Sequence, residues 1–423
     1  MVEGSDLSLA AGEAVLTRGL GRSYGDASLP PAGRGPVASS LAADRVLSFD
    51  EERGILRAQA GLSLERLAAL AFARGWFVPV TPGTRHVTLG GMVAADVHGK
   101  NHHVSGTIGR HVDAMTMRLP DGRVEEIRDD THPDLFRATL GGMGLTGHVL
   151  DATIRLERVP SRFVVEEATA CPDLDSLVDG LERSGAKWPF TVAWSDFLAR
   201  GANLGRGVLQ CGRWARKADF PLRRRPDAVT LPVPFEMPGA LLRDRTVRAF
   251  NAVRYALARS ASGATCVRSA DSFFYPLDAL EDWNLLYGRR GLTQYQCVLP
   301  RDPSMRSYRR LAAAARGHGP GPFLVVIKDC GDEGTGLLSF PRPGISFAMD
   351  FPVHDGTPAL VAALNEVVIG AGGRVYLAKD AFTTAEAFAA MEPRLGLFLD
   401  VKRRIDPDGR IASALGARLG LNG

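Results

Sequence analysis

Cysteine is scarce in this chain: Cys171, Cys211, Cys266, Cys297 and Cys330 are the five among 423 residues, scattered without a CxxC or any other ligand spacing. An odd, dispersed set argues against a disulfide framework and against thiolate metal ligation, and a reducing compartment is expected. A run of about 18 apolar residues is also missing, so no membrane-spanning helix is expected. Met1 to Ala14 carries acidic residues where a classical export signal has a basic and then an apolar region. These absences together predict a cytoplasmic protein. Nor does charge of one sign dominate: 51 Lys and Arg against 47 Asp and Glu leave +4. With no zinc-finger, helix-turn-helix or aromatic RNA-binding signature, nucleic acid is not expected as a partner.

What is present is an enzyme-sized chain, 45% hydrophobic, long enough for roughly two or three domains of about 150 residues. From Val15 to about Pro160, short apolar runs alternate with Gly-rich turns, and one helix is predicted over Ser63 to Arg74, where Leu64, Leu67, Ala68, Leu70 and Ala71 fall at helical spacing behind a Ser63 cap. Met115 to Leu119 and Val124 to Ile127 flank Pro120-Asp-Gly122 as a hairpin, and Val149 to Leu156 alternates as a strand. Beyond a boundary near Pro160, Leu174 to Ser184 and Arg245 to Ser260 read as helices, Phe323 to Ile327 and Ile345 to Phe351 as strands. Arg213 to Arg248, with five prolines and Arg223-Arg-Arg225, reads as a mobile loop. The end returns to regular patterns: a helix over Pro358 to Ile369, an extended Val375 to Ala378, and a helix over Thr383 to Met391 from a threonine cap. The fold class predicted is α+β.

The densest chemistry lies in Thr81 to His103. Gly83, Gly90 and Gly91 permit close backbone approach, Thr84 and Thr88 supply hydroxyls, and His98 and Lys100 supply groups that bind anions or move protons. A second glycine cluster, Thr17-Arg-Gly-Leu-Gly-Arg-Ser-Tyr-Gly-Asp26, follows an apolar strand, and a third, Thr139-Leu-Gly-Gly-Met-Gly-Leu-Thr-Gly147, precedes one. Turns whose backbone N–H groups converge form anion nests, the physical solution for a pyrophosphate. Three such loops can wrap a dinucleotide along its length, although the order differs from the G-x-G-x-x-G that opens a long helix in a Rossmann unit. The run His98-Gly-Lys-Asn-His-His103 admits a metal reading, but Gly99 disfavours a helix and Asp96 is the one acid nearby, so no metal is expected.

With these loops in hand, the chain resembles the decaprenylphosphoryl-β-D-ribose 2′-oxidase family of the vanillyl-alcohol-oxidase (PCMH-type) superfamily. The resemblance covers nearly the whole chain and is carried by Gly19-Leu-Gly-Arg-Ser-Tyr-Gly-Asp26, His98-Gly-Lys-Asn-His-His103, Gly141-Gly-Met-Gly-Leu-Thr-Gly147, Gln294-Tyr-Gln296, Asp350-Phe-Pro352 and Tyr376-Leu-Ala-Lys-Asp380. It implies a two-domain α+β flavoprotein: an FAD-binding domain from residues 1–160 and 374–423, and a substrate domain with an antiparallel sheet from 161–373, carrying the mobile loop. It implies oxidation of a sugar secondary alcohol to a ketone by hydride transfer to flavin N5, at C2′ of decaprenylphosphoryl-β-D-ribose or a similar ribofuranoside. A separate NAD(P)H-dependent keto-reductase would complete an epimerisation that serves arabinan biosynthesis.

Carried over by position, the family's FAD contacts fall on Thr17, Arg18, Gly19, Leu20, Gly21, Arg22, Ser23, Tyr24, Gly25, Asp26 and Ala27; on Gly83; on Thr88, Leu89, Gly90 and Gly91; on Ala95, Asp96, Val97 and His98; and on Val149 and Tyr376. Its substrate side falls on Lys100, Gln294, Gln296, Lys328, Ser346 and Lys379, with Lys379, His98 and Tyr24 as the catalytic set. Amides suit sugar hydroxyls and cations suit a phosphate or a developing alkoxide. Lys379 reads equally as a base with a depressed pKa and as an anion binder. Two departures stand out. Ser346 and Ala348 replace the family's Asn and Cys, and the first loop, Arg22-Ser-Tyr-Gly-Asp26, lacks the histidine that links flavin covalently elsewhere in the superfamily, so the FAD is expected to be non-covalent. Alternatives stay open: the same chemistry on a soluble sugar, nucleoside or glycoside, or a non-catalytic flavin-binding partner protein. The Arg/Pro loop reads either as solvated, having no apolar face beside its arginines, or as a contact with an anionic membrane surface.

Overall fold

Alternation and capping set the elements in the computed structural model, which describes residues 1–227, 230–236 and 242–423. Three short parallel strands come first, β1 (Val2–Glu3), β2 (Leu16–Arg18) and β3 (Val37–Ser39), in the order β1-β3-β2. Strands β4 (Val46–Asp50) and β5 (Ile55–Gln59) lead to helix α1 (Leu64–Phe72), which buries Leu64, Leu67, Ala68 and Ala71 while the Ser63 hydroxyl accepts from the Arg66 N–H. Helix α2 (Leu89–Ala94) follows from a Thr88 cap. The predicted hairpin forms as β6 (Val112–Arg118) and β7 (Val124–Ile127), with Gly122 at φ +94° supplying the left-handed turn residue. With β8 (His148–Arg155) these complete an antiparallel sheet in the order β4-β5-β8-β6-β7.

The chain then builds a larger sheet. Strands β9 (Phe163–Cys171), β10 (Phe190–Ser195), β11 (Gly207–Trp214), β12 (Thr265–Ser269), β13 (Leu292–Leu299), β14 (Leu324–Cys330), β15 (Gly344–Pro352) and β16 (Arg374–Val375) align as β12-β9-β11-β10-β14-β15-β13-β16. Helices α3 (Leu174–Gly185), α4 (Asp244–Ser260) and α5 (Thr357–Gly370) accompany it. Period-2 alternation sends Tyr295, Cys297, Val325, Ile327, Phe347 and Met349 to one face, where all are buried and the Tyr295 hydroxyl reaches Asn365 of α5 at 2.8 Å. The residues between them point to the other face. That face, freed from core packing, is the floor of the candidate site.

Three expectations are corrected. Residues 213–248 are not one loop: β11 runs to Trp214, Arg213 clamps Asp219 with two 2.7 Å bonds, Leu231–Pro232 pairs with Leu280–Glu281, and α4 starts at Asp244. The part of that segment at 228–229 and 237–241 lies outside the described residues. The arginines there do have an apolar face beside them, because α4 packs through Val247 and Asn251 and leaves Phe250, Val253 and Leu257, 54%, 60% and 67% exposed, on the neighbouring arc. At the end of the chain the extended stretch stops at Val375, and the last predicted helix spans Ala385–Met391 with Thr384, not Thr383, as its cap. Among the described residues no helix is long and apolar enough to cross a membrane.

Candidate active site

Local sequence explains how the three glycine loops meet. A Cβ on Gly19 would lie 2.2 Å from the Thr88 hydroxyl, so the first loop touches the cap of α2 only because position 19 is glycine. Gly25 touches the C-terminal segment in the same way, its missing Cβ falling 1.9 Å from the Asp380 carbonyl oxygen. That junction is sealed by the Tyr24 N–H on the Ala378 carbonyl (3.0 Å) and by Arg418, which bridges Asp26 and Asp380 at 2.7 Å each. The third loop turns through Gly141, Met143, Gly144 and Gly147, all at positive φ.

Between these loops and the open face of the large sheet lies a cavity of about 1030 Å³. This is just beyond the upper end of the roughly 300–1,000 Å³ usual for small-molecule sites. Gly19, Gly21, Gly83, Gly90, Gly91, Gly144 and Gly147 line one side. Gly83 has no heavy atom within 4 Å of where its Cβ would stand, so the space beside it on the cavity wall is open. A glycine-walled cradle with backbone N–H groups is the donor set a pyrophosphate needs.

The opposite side is a cross-strand row. Gln296 of β13 pairs with Ala348 of β15, Ala348 with Val326 of β14, and Val326 with Trp194 of β10, and all four line the cavity. At about 4.8 Å per strand the row spans roughly 14 Å. Gln294, Lys328 and Leu324 flank it on the same face.

Of the six lysines in the chain, Lys100, Lys328 and Lys379 all line this cavity. The Lys379 ammonium sits 3.8 Å from the centre of the Tyr24 ring, and Lys100 donates to the Phe273 carbonyl with its ammonium 4.4 Å over that ring. Burial, with the Lys328 ammonium adding to it, pulls Lys100 down to about 7. Burial also lowers Lys379, opposed by the Asp350 carboxylate and reinforced by Lys328. The Gln296 amide nitrogen donates to His98 Nε2 at 2.9 Å and to Ser346 Oγ at 3.2 Å. This leaves the His98 proton on Nδ1, a buried atom with no protein partner among the described residues. Burial and the charges of Lys328, His102 and Lys379 hold that ring well below its ordinary pKa, hence neutral. Tyr376 stands edge-on to His98 at 5.1 Å and donates to the Ala95 carbonyl.

Most of the residues assigned from sequence line the cavity; five do not. Asp96, at φ +39°, is buried and accepts from the Gly109 N–H at 2.8 Å and from the Ser339 hydroxyl, so it ties two loops together behind the wall. Leu89 is core, Gly25 and Asp26 form the junction with Asp380 and Arg418, and Ser346 lies behind Gln296. His102 and His103 are occupied by the Gly331 N–H and the Trp188 carbonyl. Among the described residues no cluster of three metal-ligating side chains occurs. Sequence reading missed Trp194, Trp283 and Arg254, which line the cavity. Trp194 sits in a fully buried strand and reads as core, while Arg254 reads as a solvated helix position, yet its guanidinium lies 4.1 Å from the Trp194 ring centre.

Residues 6–128 match the FAD binding domain family. The chain is 35% identical to decaprenylphosphoryl-β-D-ribose oxidase of Mycolicibacterium smegmatis over 421 residues, 97% of this chain and 90% of that protein. It is 35% identical over 373 residues to an uncharacterized protein of Streptomyces coelicolor, covering 85% of this chain and all of that one. L-gulonolactone oxidase of Scyliorhinus torazame is 24% identical over 385 residues, 86% of this chain and 81% of the relative.

Proposed function

The chain belongs to the decaprenylphosphoryl-β-D-ribose oxidase family of FAD-dependent oxidoreductases, and from that premise we propose that it oxidises C2′ of a polyprenylphosphoryl ribofuranoside to the ketone. The observation that carries this reading is the placement of Lys379, Gln294, Gln296 and His98 on the same cavity as the three glycine loops. A protein that merely stored flavin would have no need of that polar set on the opposite wall.

FAD would be held non-covalently by Thr17–Tyr24, Ala27, Gly83, Thr88, Gly90, Gly91, Ala95, Val97, His98, Val149 and Tyr376, and when bound would supply the hydride acceptor. No cysteine is among the residues lining the cavity, and the first loop contributes no histidine. The domain that binds it combines residues 1–160 with the C-terminal segment, a division supported by the Gly25–Asp380 and Asp26–Arg418 contacts. The protein's own groups then have separable tasks. Gln294 and Gln296 orient the sugar hydroxyls, and Lys328 and Lys100 hold the phosphate. Lys379, made less basic by burial, takes the hydroxyl proton as the carbon gives up its hydride. Neutral His98 is held against the wall by Gln296 and keeps an Nδ1–H without a protein partner among the described residues. The low dielectric around these groups strengthens each interaction. The ketone is passed to a separate NAD(P)H-dependent reductase.

A lipid-linked substrate also accounts for the surface beyond Arg254. Residues 213–260 hold eleven Lys and Arg against four Asp and Glu, +7 within a chain of +4, next to the exposed Phe250, Val253 and Leu257. We place this face on an anionic membrane, with the cavity mouth toward the lipid.

The test is anaerobic absorbance of the FAD-loaded protein mixed with a short-chain polyprenylphosphoryl ribose, free ribose, ribose phosphates and nucleosides. Bleaching of the flavin band at about 450 nm by the lipid-linked sugar alone is the expected result. Bleaching by a soluble sugar alone would move the protein to another pathway, and no bleaching by any sugar would favour a non-catalytic flavoprotein.

A further inference from the structure

Asp350 sets a carboxyl group into the wall of the site; burial raises its pKa, while the Gln294 bond, the Lys379 charge and the Tyr287 hydroxyl favour its ionised form. It is 1% exposed and stands on β15 opposite Gln294 of β13 and Leu324 of β14. The partners of its carboxylate are two neutral donors: the Gln294 amide nitrogen on Oδ1, and the Tyr287 hydroxyl 3.5 Å from Oδ2. A buried carboxylate is costly unless hydrogen-bonded or paired, and a packing role at this position would be filled more cheaply by an apolar residue.

Two consequences follow from chemistry. An ionised carboxylate only accepts hydrogen bonds, so the NH₂ end of Gln294 is bound to face Asp350. The amide carbonyl is then left for the cavity, where Gln294 is part of the wall. The second consequence concerns charge. Lys379 is faced by the Tyr24 ring beneath it, by Lys328 on β14, by His98 across the cavity and by Asp350 on β15. Lys328 favours the neutral amine, neutral His98 and the ring carry no net charge, and Asp350 is the acid in that set.

We propose that Asp350 is the positioning residue of the site: it fixes Gln294 as an acceptor for a sugar hydroxyl, and its negative charge offsets the Lys328 ammonium at Lys379. The inference rests on the oxidation reading above and adds a specificity rule, since a substrate must offer a hydroxyl hydrogen to the Gln294 carbonyl. A deoxy sugar lacking it leaves that carbonyl unpaired in the closed site.

Anaerobic flavin reduction by a short-chain polyprenylphosphoryl ribose, followed from about pH 6 to pH 9 in FAD-loaded wild type, Asp350→Asn and Gln294→Leu, tests it. Removing the charge leaves burial and Lys328 unopposed, so the rising limb of kcat moves to lower pH in Asp350→Asn. Because an amide can turn either its oxygen or its NH₂ to Gln294 and no longer fixes the Gln294 carbonyl toward the cavity, KM rises by more than about twofold. Gln294→Leu raises KM to a similar degree with the limb unmoved. Asp350→Glu restores the limb toward its wild-type position. A purely structural role would lower kcat or FAD occupancy without moving the limb. An unmoved limb together with a KM within about twofold of wild type overturns the proposal. Should Asp350→Asn fail to hold FAD, wild type is compared on the ribosyl substrate and its 3-deoxy analogue: discrimination of at least about tenfold that Gln294→Leu abolishes supports the proposal, and its absence overturns it. A wild type that no sugar reduces sinks the oxidation reading itself, and this inference with it.

Discussion

The Lys379 ammonium rests 3.8 Å from the centroid of the Tyr24 ring, so the first glycine loop and the C-terminal segment meet at the group proposed to take the substrate proton. The ring favours the charged amine by about 0.5–2 kcal/mol, while burial favours the neutral one. Replacing Lys379 with Met should leave FAD bound and lower the rate of flavin reduction by about 10²–10⁴, the usual contribution of general-base catalysis. The sign of the pH effect follows from the role: a base acts when unprotonated, so wild-type reduction rises with pH through the depressed Lys379 pKa. In stopped-flow traces Lys379→Met should show that limb flattened. A variant that keeps both rate and limb would make Lys379 an anion binder only.

Glycine positions separate fold from ligand. Gly25→Ala drives a Cβ into the Asp380 carbonyl, and the resulting backbone shift should cost about 1–3 kcal/mol of apoprotein stability. Gly83→Ala meets nothing within 4 Å, so the apoprotein should unfold within about 0.5 kcal/mol of wild type, while FAD binds more weakly. Thermal unfolding of the apoprotein and flavin titration of both variants separate the two effects.

Local signals were legible where the chain supplies them within a few residues. The Ser63 cap with Leu64, Leu67, Ala68 and Ala71 gave α1 almost to its ends, and Pro120-Asp-Gly122 gave the β6–β7 turn. The glycine loops were readable as a ligand cradle because close approach and positive φ are written in residue type. Whether a side chain faces the cavity or lies behind its wall depends on partners far along the chain. Asp96 sits among cavity residues in sequence yet is claimed by Ser339, 243 residues away. Trp194 reads as core until the register of β10, β14, β15 and β13 aligns it with Gln296 across the sheet. The exposed stripe on α4 was invisible because sequence does not say which arc of a helix finds a partner.

Asp96 offers a stability test of its position behind the wall. Complete burial raises its pKa above the ordinary carboxylate value, against the lowering effect of its bonds to Ser339 and Gly109. A carboxyl whose folded pKa is raised costs stability once it ionises, and the cost is relieved as pH falls through the folded value. Asp96→Asn removes that cost and can still accept from the Gly109 N–H while the Ser339 hydroxyl rotates to accept. The variant should therefore gain stability on wild type at pH 8, with the gain shrinking toward pH 5, in urea unfolding at both values. A variant uniformly less stable would show that the charge is needed there.

The α4 face makes the membrane contact a question of charge and exposed area rather than of a spanning helix. An anionic surface attracts nearby Lys and Arg by about 1 kcal/mol each, and salt screens that attraction. Phe250, Val253 and Leu257 add apolar area that salt does not weaken, so vesicle binding should fall with ionic strength but keep a residue set by these side chains. Co-sedimentation with phosphatidylglycerol vesicles, against phosphatidylcholine, should be strong at low salt, and Val253→Glu with Leu257→Glu should reduce it by more than about tenfold, since both lost apolar burial and new like-charge repulsion act against insertion. The same double variant should reduce flavin normally with a water-soluble short-chain substrate, because neither side chain lines the cavity. Equal binding to both lipids, or none, would detach the basic segment from the membrane and leave the lipid-linked substrate to reach Arg254 from solution.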